Sequence, residues 1–351
     1  MSTEGPRRGR AAQRNPTSRF ERLTLAPDPD EPPDSSSEDP TEVYLDTARS
    51  VLTTNDSPDI PVRVTLNAYR GCEHGCIYCY ARPYHEYLGL SAGLDFERKL
   101  FVKMDAAAVL REELTKKSWG PDVISLSGVT DPYQPVERRL RVTRACLEVL
   151  AECRNPVAII TKSHLVTRDI DLLQSLAAHQ AALVLLSVTT LDDELAGVME
   201  PRAARPARRL DAIRQLREAG VPVGVMVAPI IPGLTDHEVP AILAAAADAG
   251  ATTAARTVVR LPHGLKDLFA DWLETHLPLR KERVLNRLRD VRGGKLNDAR
   301  FGTRMAGEGP IAEAIHQMFT LHVRKYGLTE HIQLSTSAFR RPRGALGELF
   351  G

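Results

Sequence analysis

The chain has 351 residues, 43% of them hydrophobic and 26% charged, with 46 basic against 45 acidic side chains. A chain of this length buries a sizeable core. Its formal charge of +1 gives no net electrostatic argument for nucleic acid. No apolar run approaches the roughly 20 residues that cross a bilayer, so no membrane partner is expected. The N-terminus has no apolar signal core. Five cysteines, three of them bunched, do not make a disulfide framework, and a reducing, cytoplasmic setting is expected.

In chain order, residues 1–48 read as a disordered N-terminal segment. It is first basic (Arg7, Arg8, Arg10, Arg14), then acidic and rich in Pro and Ser in "APDPDEPPDSSSEDP", with too little apolar surface to offset ordering entropy. Residues 49–262 alternate short apolar, β-branched runs with helical runs. "VRVTLNAY" (62–69) leads into a cysteine loop. "DVISLSG" (122–128) precedes a helix over 137–153, "VAIITKS" (157–163) one over 169–178, and "ALVLLSVTT" (182–190) one over 206–219. "VPVGVMVAPIIPG" (221–233) precedes a helix over 237–249, and "ARTVVRL" (255–261) leads into mainly helical sequence. Such runs suit parallel strands covered on both faces. Six βα units predict a doubly wound sheet or a complete or partial barrel. Residues 263–332 read as a helical C-terminal extension and 333–351 as a loose basic tail.

Chemistry in such folds collects at the C-terminal strand ends. Polar residues cluster there: Ser127, Gly128, Thr130 and Asp131 after the second strand, Thr161, Lys162 and Ser163 after the third, Ser187, Thr189 and Thr190 after the fourth. Many of these suit ordinary helix N-caps, Thr167 and Asp236 among them. Lys162 is different, because a lysine directly ending an apolar strand points into the mouth of the sheet.

"RGCEHGCIYCYARPYH" (70–85) holds Cys72, Cys76 and Cys79. C-x3-C-x2-C is too tight for structural disulfides and converges on a metal. Zinc would take a fourth ligand from His74 or His85. An iron–sulfur cluster on three cysteines leaves one iron open for a substrate or cofactor, and is the better match to this spacing in a βα context. Cys146 and Cys153, seven apart in a predicted helix, read as core.

This motif, in the loop after the first strand, resembles the radical S-adenosylmethionine (radical SAM) superfamily. "YRGCEHGCIYCYAR", "SGVTDPYQPVE", "ITKS", "LSVTTLD" and "GVPVGVMVAPIIPGL" resemble its spore photoproduct lyase branch, also called DNA repair photolyase-like, over about residues 60–262. The resemblance implies a partial (β/α)6 TIM-type barrel. It implies that Cys72, Cys76 and Cys79 ligate a [4Fe-4S] cluster whose open iron binds SAM. Reductive cleavage of SAM then gives a 5′-deoxyadenosyl radical that abstracts hydrogen from the substrate, and a flavodoxin or ferredoxin supplies the electron. Thr130, Asp131, Lys162, Ser187 and Ala228 stand at the SAM-contacting positions. Tyr78 and Tyr80 match tyrosines implicated in returning a hydrogen atom, and Tyr78 also stands where an aromatic meets adenine. The resemblance stops short of spore photoproduct repair itself. That enzyme has a hydrogen-donating cysteine where Gly128 or Val129 stands here.

The resemblance points to a nucleic acid or nucleotide substrate. A peptide, protein or small metabolite is the alternative, and a non-catalytic zinc- or cluster-binding nucleic-acid module a third. Basic runs at 200–210 and 278–305, with Arg287, Arg289 and Arg292, read either as phosphate contacts or as solvated helix faces. Few aromatics are interleaved with them, so no base-stacking platform is evident. The Gly-rich stretch 292–310 reads as a loop or lid over the mouth, and His263 as a pocket or structural histidine.

Overall fold

A computed structural model describes residues 9–12, 14–16, 40–126 and 128–342. Ten strands follow in chain order: β1 (Glu42–Leu45), β2 (Leu52–Thr54), β3 (Val64–Leu66), β4 (Tyr69–Arg70), β5 (Lys99–Val102), β6 (Ile124–Leu126), β7 (Val157–Thr161), β8 (Ala182–Ser187), β9 (Val223–Ile230) and β10 (Thr253–Val258). Seven form one sheet in the order β10-β9-β8-β7-β6-β3-β2. β3 and β6 to β10 pair in parallel with their neighbours in sequence, and β2 closes one edge antiparallel to β3. This is the wall of a partial (β/α)6 barrel, one of the architectures that the six apolar runs allow and the one that the resemblance implies.

The helices Val142–Cys153, Ile170–Ala177, Pro206–Glu218 and Val239–Asp248 connect β6 through β10. Leu147, Leu150, Leu173, Leu216 and Leu243 bury one face of these helices against the strand residues Ile159, Val184, Leu186 and Val225. Each such side chain contributes about 1.5–3 kcal/mol on burial. The helix expected over 137–153 is two helices, because Arg141 adopts a left-handed backbone between Glu137–Leu140 and Val142–Cys153.

The connection from β3 to β6 is much longer than a single helix. It carries the cysteine loop, a 3-10 turn over Arg82–Leu88, the helices Leu94–Arg98 and Ala106–Thr115, and a second sheet of order β1-β5-β4. Beyond β10, the helices Leu265–His276 and Pro278–Asp290 bury Phe269, Trp272, Leu273, Val284 and Leu288 in a separate apolar cluster. Cys76, Ile77 and Tyr78 belong to that cluster, so the cysteine loop is wedged between the barrel and the C-terminal helices. No described helix is long and apolar enough to cross a membrane.

Two terminal expectations change. β1 lies inside the segment expected to be disordered, paired with β5. Residues 9–12 and 14–16 form a strap: Arg10 Nη1 donates to Glu97 O at 2.8 Å, Ala12 N to Glu97 Oε1 at 2.9 Å, and Arg14 Nε to Asp271 Oδ2 at 2.8 Å. Gly93 is required where the strap passes, since a Cβ there would lie 2.1 Å from Arg14 O. Partners distant in the chain supply the order that the local composition lacks. Residues 1–8, 13 and 17–39 of that expectation lie outside the described residues. Of the tail expected to be loose, residues 333–342 are tied down: Ser335 N donates to Gln180 O at 2.9 Å and Arg340 Nε to Glu152 O at 2.7 Å. Residues 343–351 lie outside the described part.

The Gly-rich stretch 292–306 runs from the β10 edge of the sheet to its β2–β3 edge. Arg292 donates to the carbonyls of Val258 (3.2 Å), Val259 (2.7 Å) and Thr303 (3.0 Å). At the far side Arg304 Nε and Gly302 N meet Asp59, in the loop between β2 and β3, at 2.5 and 2.7 Å. One ion pair thus bridges the open side of the partial barrel.

Candidate metal and cofactor site

Cys72, Cys76 and Cys79 are free thiols, the first two buried and the third partly so. The backbone around them is fixed by protein groups. Cys72 N donates to Phe96 O at 2.9 Å and Ile77 N to Met199 O at 3.1 Å. Arg82, fully buried, uses all five of its N–H donors: Nε to Cys76 O (2.9 Å), Nη1 to Ala92 O (3.2 Å) and Gly93 O (2.9 Å), Nη2 to Gly75 O (3.0 Å) and Glu97 Oε1 (2.5 Å). Gly75 has φ +68°, and a Cβ there would lie 2.9 Å from Glu97 Oε2, so this tight turn needs glycine.

Burial raises all three thiols above the usual cysteine range, and the Asp131 carboxylate adds to this at Cys72. Bound iron reverses that balance, since a coordinating thiol is deprotonated outright. Of the two histidines offered for zinc, His74 Nδ1 lies 3.3 Å from Asp131 Oδ2, and the buried His85 packs edge-on against Phe96 and Phe101 with its Nε2 unpartnered. The donor set fits a cluster held by three cysteines.

Lys162 follows β7 and faces the loop. Its Nζ lies 5.7 Å from the Tyr78 ring centroid and donates to Ala228 O at 3.3 Å. Burial lowers its ammonium, and the Cys76 thiol opposes that shift. Ser187, at the end of β8, is buried, and its carbonyl accepts from Arg209 Nη1 at 3.0 Å. Lys162, Tyr78 and Ala228 are thus brought together beside the cysteines. Thr130 and Asp131 carry bonds within the protein. Thr130 Oγ1 donates to Gly71 O, beside Cys72, at 2.7 Å. Asp131 accepts from Thr161 Oγ1 (2.7 Å), Lys162 N (2.8 Å) and Tyr133 N (2.9 Å). Burial alone would raise the Asp131 carboxyl; His74 and these donors hold it at about 2. Tyr80 is exposed, donates to Gly128 O at 2.6 Å, and lies under the Arg260 guanidinium at 5.6 Å. Ser127 lies outside the described residues.

Several residues of the site are not legible as such in the sequence. Glu200 is fully buried; it accepts from the Tyr78 hydroxyl and pairs with Arg209, and it takes a bond from Thr189 Oγ1 at 2.8 Å. The basic run at 200–210 is therefore not a uniform solvated face: Arg209 is interior and Arg202 pairs with Glu73 at 2.9 Å, while Arg205 and Arg208 are exposed. Arg292 is also interior, and only Arg287 and Arg289 of the three arginines singled out keep surface. His263 is exposed. A glutamate inside a basic run is the one signal that could have found the Glu200–Arg209 pair.

Comparison with known proteins gives the same picture. An uncharacterized protein of Mycobacterium tuberculosis is 39% identical over 216 residues, 61% of this chain and 64% of the relative. One from Methanocaldococcus jannaschii is 30% identical over 50% of this chain and 63% of its own length. The chain thus spans under two thirds of these relatives. A Pseudomonas phage M6 protein named a radical SAM Nα-GlyT isomerase is 26% identical over 48% of this chain and 33% of its own. Among solved structures, a spore photoproduct lyase variant superposes with a TM-score of 0.57 at 15% identity, covering 82% of this chain and 80% of that one. A variant with bound AdoMet and dinucleoside spore photoproduct gives 0.55 at 14% identity, covering 81% and 78%. At such identities the likeness is one of fold. The model of the radical SAM superfamily matches residues 66–246, which take in the cysteine loop, Lys162 and the ends of β6 to β9, and the chain belongs to that superfamily.

Proposed function

We propose that the protein is a radical SAM enzyme. Cys72, Cys76 and Cys79 would hold a [4Fe-4S] cluster, and the ends of β6 to β9 would hold SAM. The observation that carries this reading is the placement of three free thiols, two buried and one partly so, on a loop locked by Arg82 and facing the lysine that follows β7. When bound, the cluster and SAM supply one-electron chemistry that delivers a 5′-deoxyadenosyl radical. The chain's own residues do the rest. Lys162 offers a compact positive charge suited to the SAM carboxylate. Tyr78, its hydroxyl anchored on Glu200 and Thr189, presents a fixed ring face beside that charge. Thr130 and Gln134 hold the Gly71 carbonyl and so orient the entry to Cys72, while Asp131 fixes the backbone of Lys162. Packing from the C-terminal helices shields the loop from water, as radical chemistry requires. Ser187 and Ala228 would line the cofactor, and a flavodoxin- or ferredoxin-type protein would reduce the cluster.

Hydrogen abstraction from a nucleic acid or nucleotide is the substrate reading we favour. The exposed Tyr80 and Tyr84 beside Arg260 support it. The test is anaerobic reconstitution with iron and sulfide, an iron and zinc count, then dithionite and SAM. Near four irons per chain and formation of 5′-deoxyadenosine are expected, with both the nucleoside and most of the iron lost in Cys76→Ala while the far-UV spectrum is kept. Nucleoside formation by Cys76→Ala, or zinc without nucleoside in the unaltered protein, would overturn the reading.

A further inference from the structure

The N-terminal strap, residues 9–12 and 14–16, rests on the groups that support the cysteine loop. Ala11 N and Ala12 N donate to the Glu97 carboxylate at 3.3 and 2.9 Å. The same carboxylate accepts from Arg82 Nη2 at 2.5 Å and would lie 2.9 Å from a Cβ on Gly75. A single carboxylate therefore stands between the strap and the turn from Cys72 to Cys76. The strap also runs over Gly93, whose carbonyl Arg82 holds. Ala11 and Ala12 are fully buried, and Ala11 belongs to the apolar cluster of Cys76, Ile77 and Tyr78. The strap thus forms part of the wall behind the thiols.

This part of the wall can lift without stranding the carboxylates beneath it. Glu97 keeps Arg82, and Glu73, next to Cys72, keeps Arg202 at 2.9 Å. Arg10 and Arg202 each donate to the Thr41 hydroxyl at 3.1 Å, so docking brings two like charges together and lifting parts them. Arg14 and Asp271 are both about half-exposed, and such a pair adds little to the hold. A cavity of about 320 Å³ separates Ala11 and Arg14 from Leu268 and Trp272 of the helix Leu265–His276, so the strap is not packed there at core density. The rest of the wall differs. Breaking Arg82 from Glu97 or Arg209 from Glu200 leaves a buried charge alone, at a cost that keeps those pairs closed.

We propose that the strap is a releasable clasp on the cysteine loop: lifted, it opens the thiols to solvent and to incoming iron and sulfide, and docked, it seals them. The metal-handling meaning rests on the cluster reading, but the opening is tested without metal. The metal-free full chain is pulsed with iodoacetamide under anaerobic conditions, and labelling of each cysteine is read by mass spectrometry. Cys146 and Cys153, buried in the helix Val142–Cys153, report any wider unfolding. Ala12→Glu puts a second carboxylate into the buried space beside Glu97. It is expected to speed tryptic cleavage after Arg14 and to raise Cys76 labelling about tenfold or more, with Cys146 and Cys153 unchanged, as for a local opening. Arg14→Ala, which loses only a surface ion pair, should raise Cys76 labelling about twofold to fivefold. Once loaded, the Ala12→Glu protein should release iron to a chelator faster than the unaltered protein. Unchanged cleavage or unchanged Cys76 labelling in Ala12→Glu, labelling of Cys146 and Cys153 in step with Cys76, or equal iron release would each overturn the proposal. The two readings fail separately. Thiols that open in a chain that never loads iron sink the cluster and leave the clasp, whereas iron loading with thiols indifferent to Ala12→Glu sinks only the clasp.

Discussion

The loop of Cys72, Cys76 and Cys79 and the rim of Tyr80, Tyr84, Tyr87 and Arg260 are neighbours, yet their polar groups are treated in opposite ways. Under the loop, Arg82 is saturated, Glu97 takes Arg82 and two backbone amides, and Asp131 takes Thr161, Tyr133 and Lys162. On the rim, Arg260 keeps an unpartnered Nε and lies over the ring of the exposed Tyr80. A group that must hold a fixed cofactor gains from preorganisation, whereas one that must accept a large and variable ligand has to leave its donors free until the ligand arrives.

The sharpest way to break this contrast is Arg82→Met. It removes five hydrogen bonds and leaves Glu97 buried without its counterion, so a loss of about 3–5 kcal/mol is expected in the denaturant unfolding of the metal-free protein, together with poor iron retention. Second is a pH effect at the loop's outer edge. Burial lowers the His85 imidazole to about 4, so the unfolded chain takes up the proton first as pH falls. The stability tied to neutral His85 is therefore whole above about pH 6.5 and is lost progressively down to about 4, with a ceiling of roughly 3 kcal/mol. His85→Phe, packed against Phe96 and Phe101, should show a smaller fall in urea midpoint between pH 7.5 and 4.5 than the unaltered protein. An equal fall would mean that His85 does not carry the effect. Third, Lys162→Ala should weaken SAM binding by about tenfold or more, as expected for a lost charge-assisted contact, with iron content unchanged; parallel loss of both would make Lys162 structural. The smallest effect belongs to the bridge across the open side. Arg304→Gln should cost about 1 kcal/mol and speed tryptic cleavage within 292–306, read by mass spectrometry.

The parts of this architecture that repeat were readable in advance. Apolar runs at regular spacing specify β6 to β10, and the three-cysteine spacing specifies the loop, because both follow from local pattern. What escaped depends on partners remote in sequence. β1, β4 and β5 are two to four residues long, too short for any periodic signal, and exist through one another. Arg292 sits in a basic run that reads as solvated, yet it is interior because the ends of β10 and the 292–306 segment offer it three carbonyls. Thr130 and Asp131, which the resemblance assigns to cofactor contact, also bond to Gly71 and to the β7 end, partners that no local pattern announces. Composition likewise hides the strap of residues 9–12 and 14–16, which Arg10, Ala12 and Arg14 tie to the remote Glu97 and Asp271.

The saturation of Arg82 also bears on how the protein is matured and maintained. In metal-dependent mini-domains the ion creates the fold and its loss destroys it. Here the turn that carries the thiols is closed by guanidinium, carboxylate and backbone, so on the reading proposed above iron and sulfide would meet a receptacle that the polypeptide builds for itself. Loss of the inorganic centre would then leave a chain that can be refilled rather than replaced, and damage to that centre would be separated from turnover of the polypeptide.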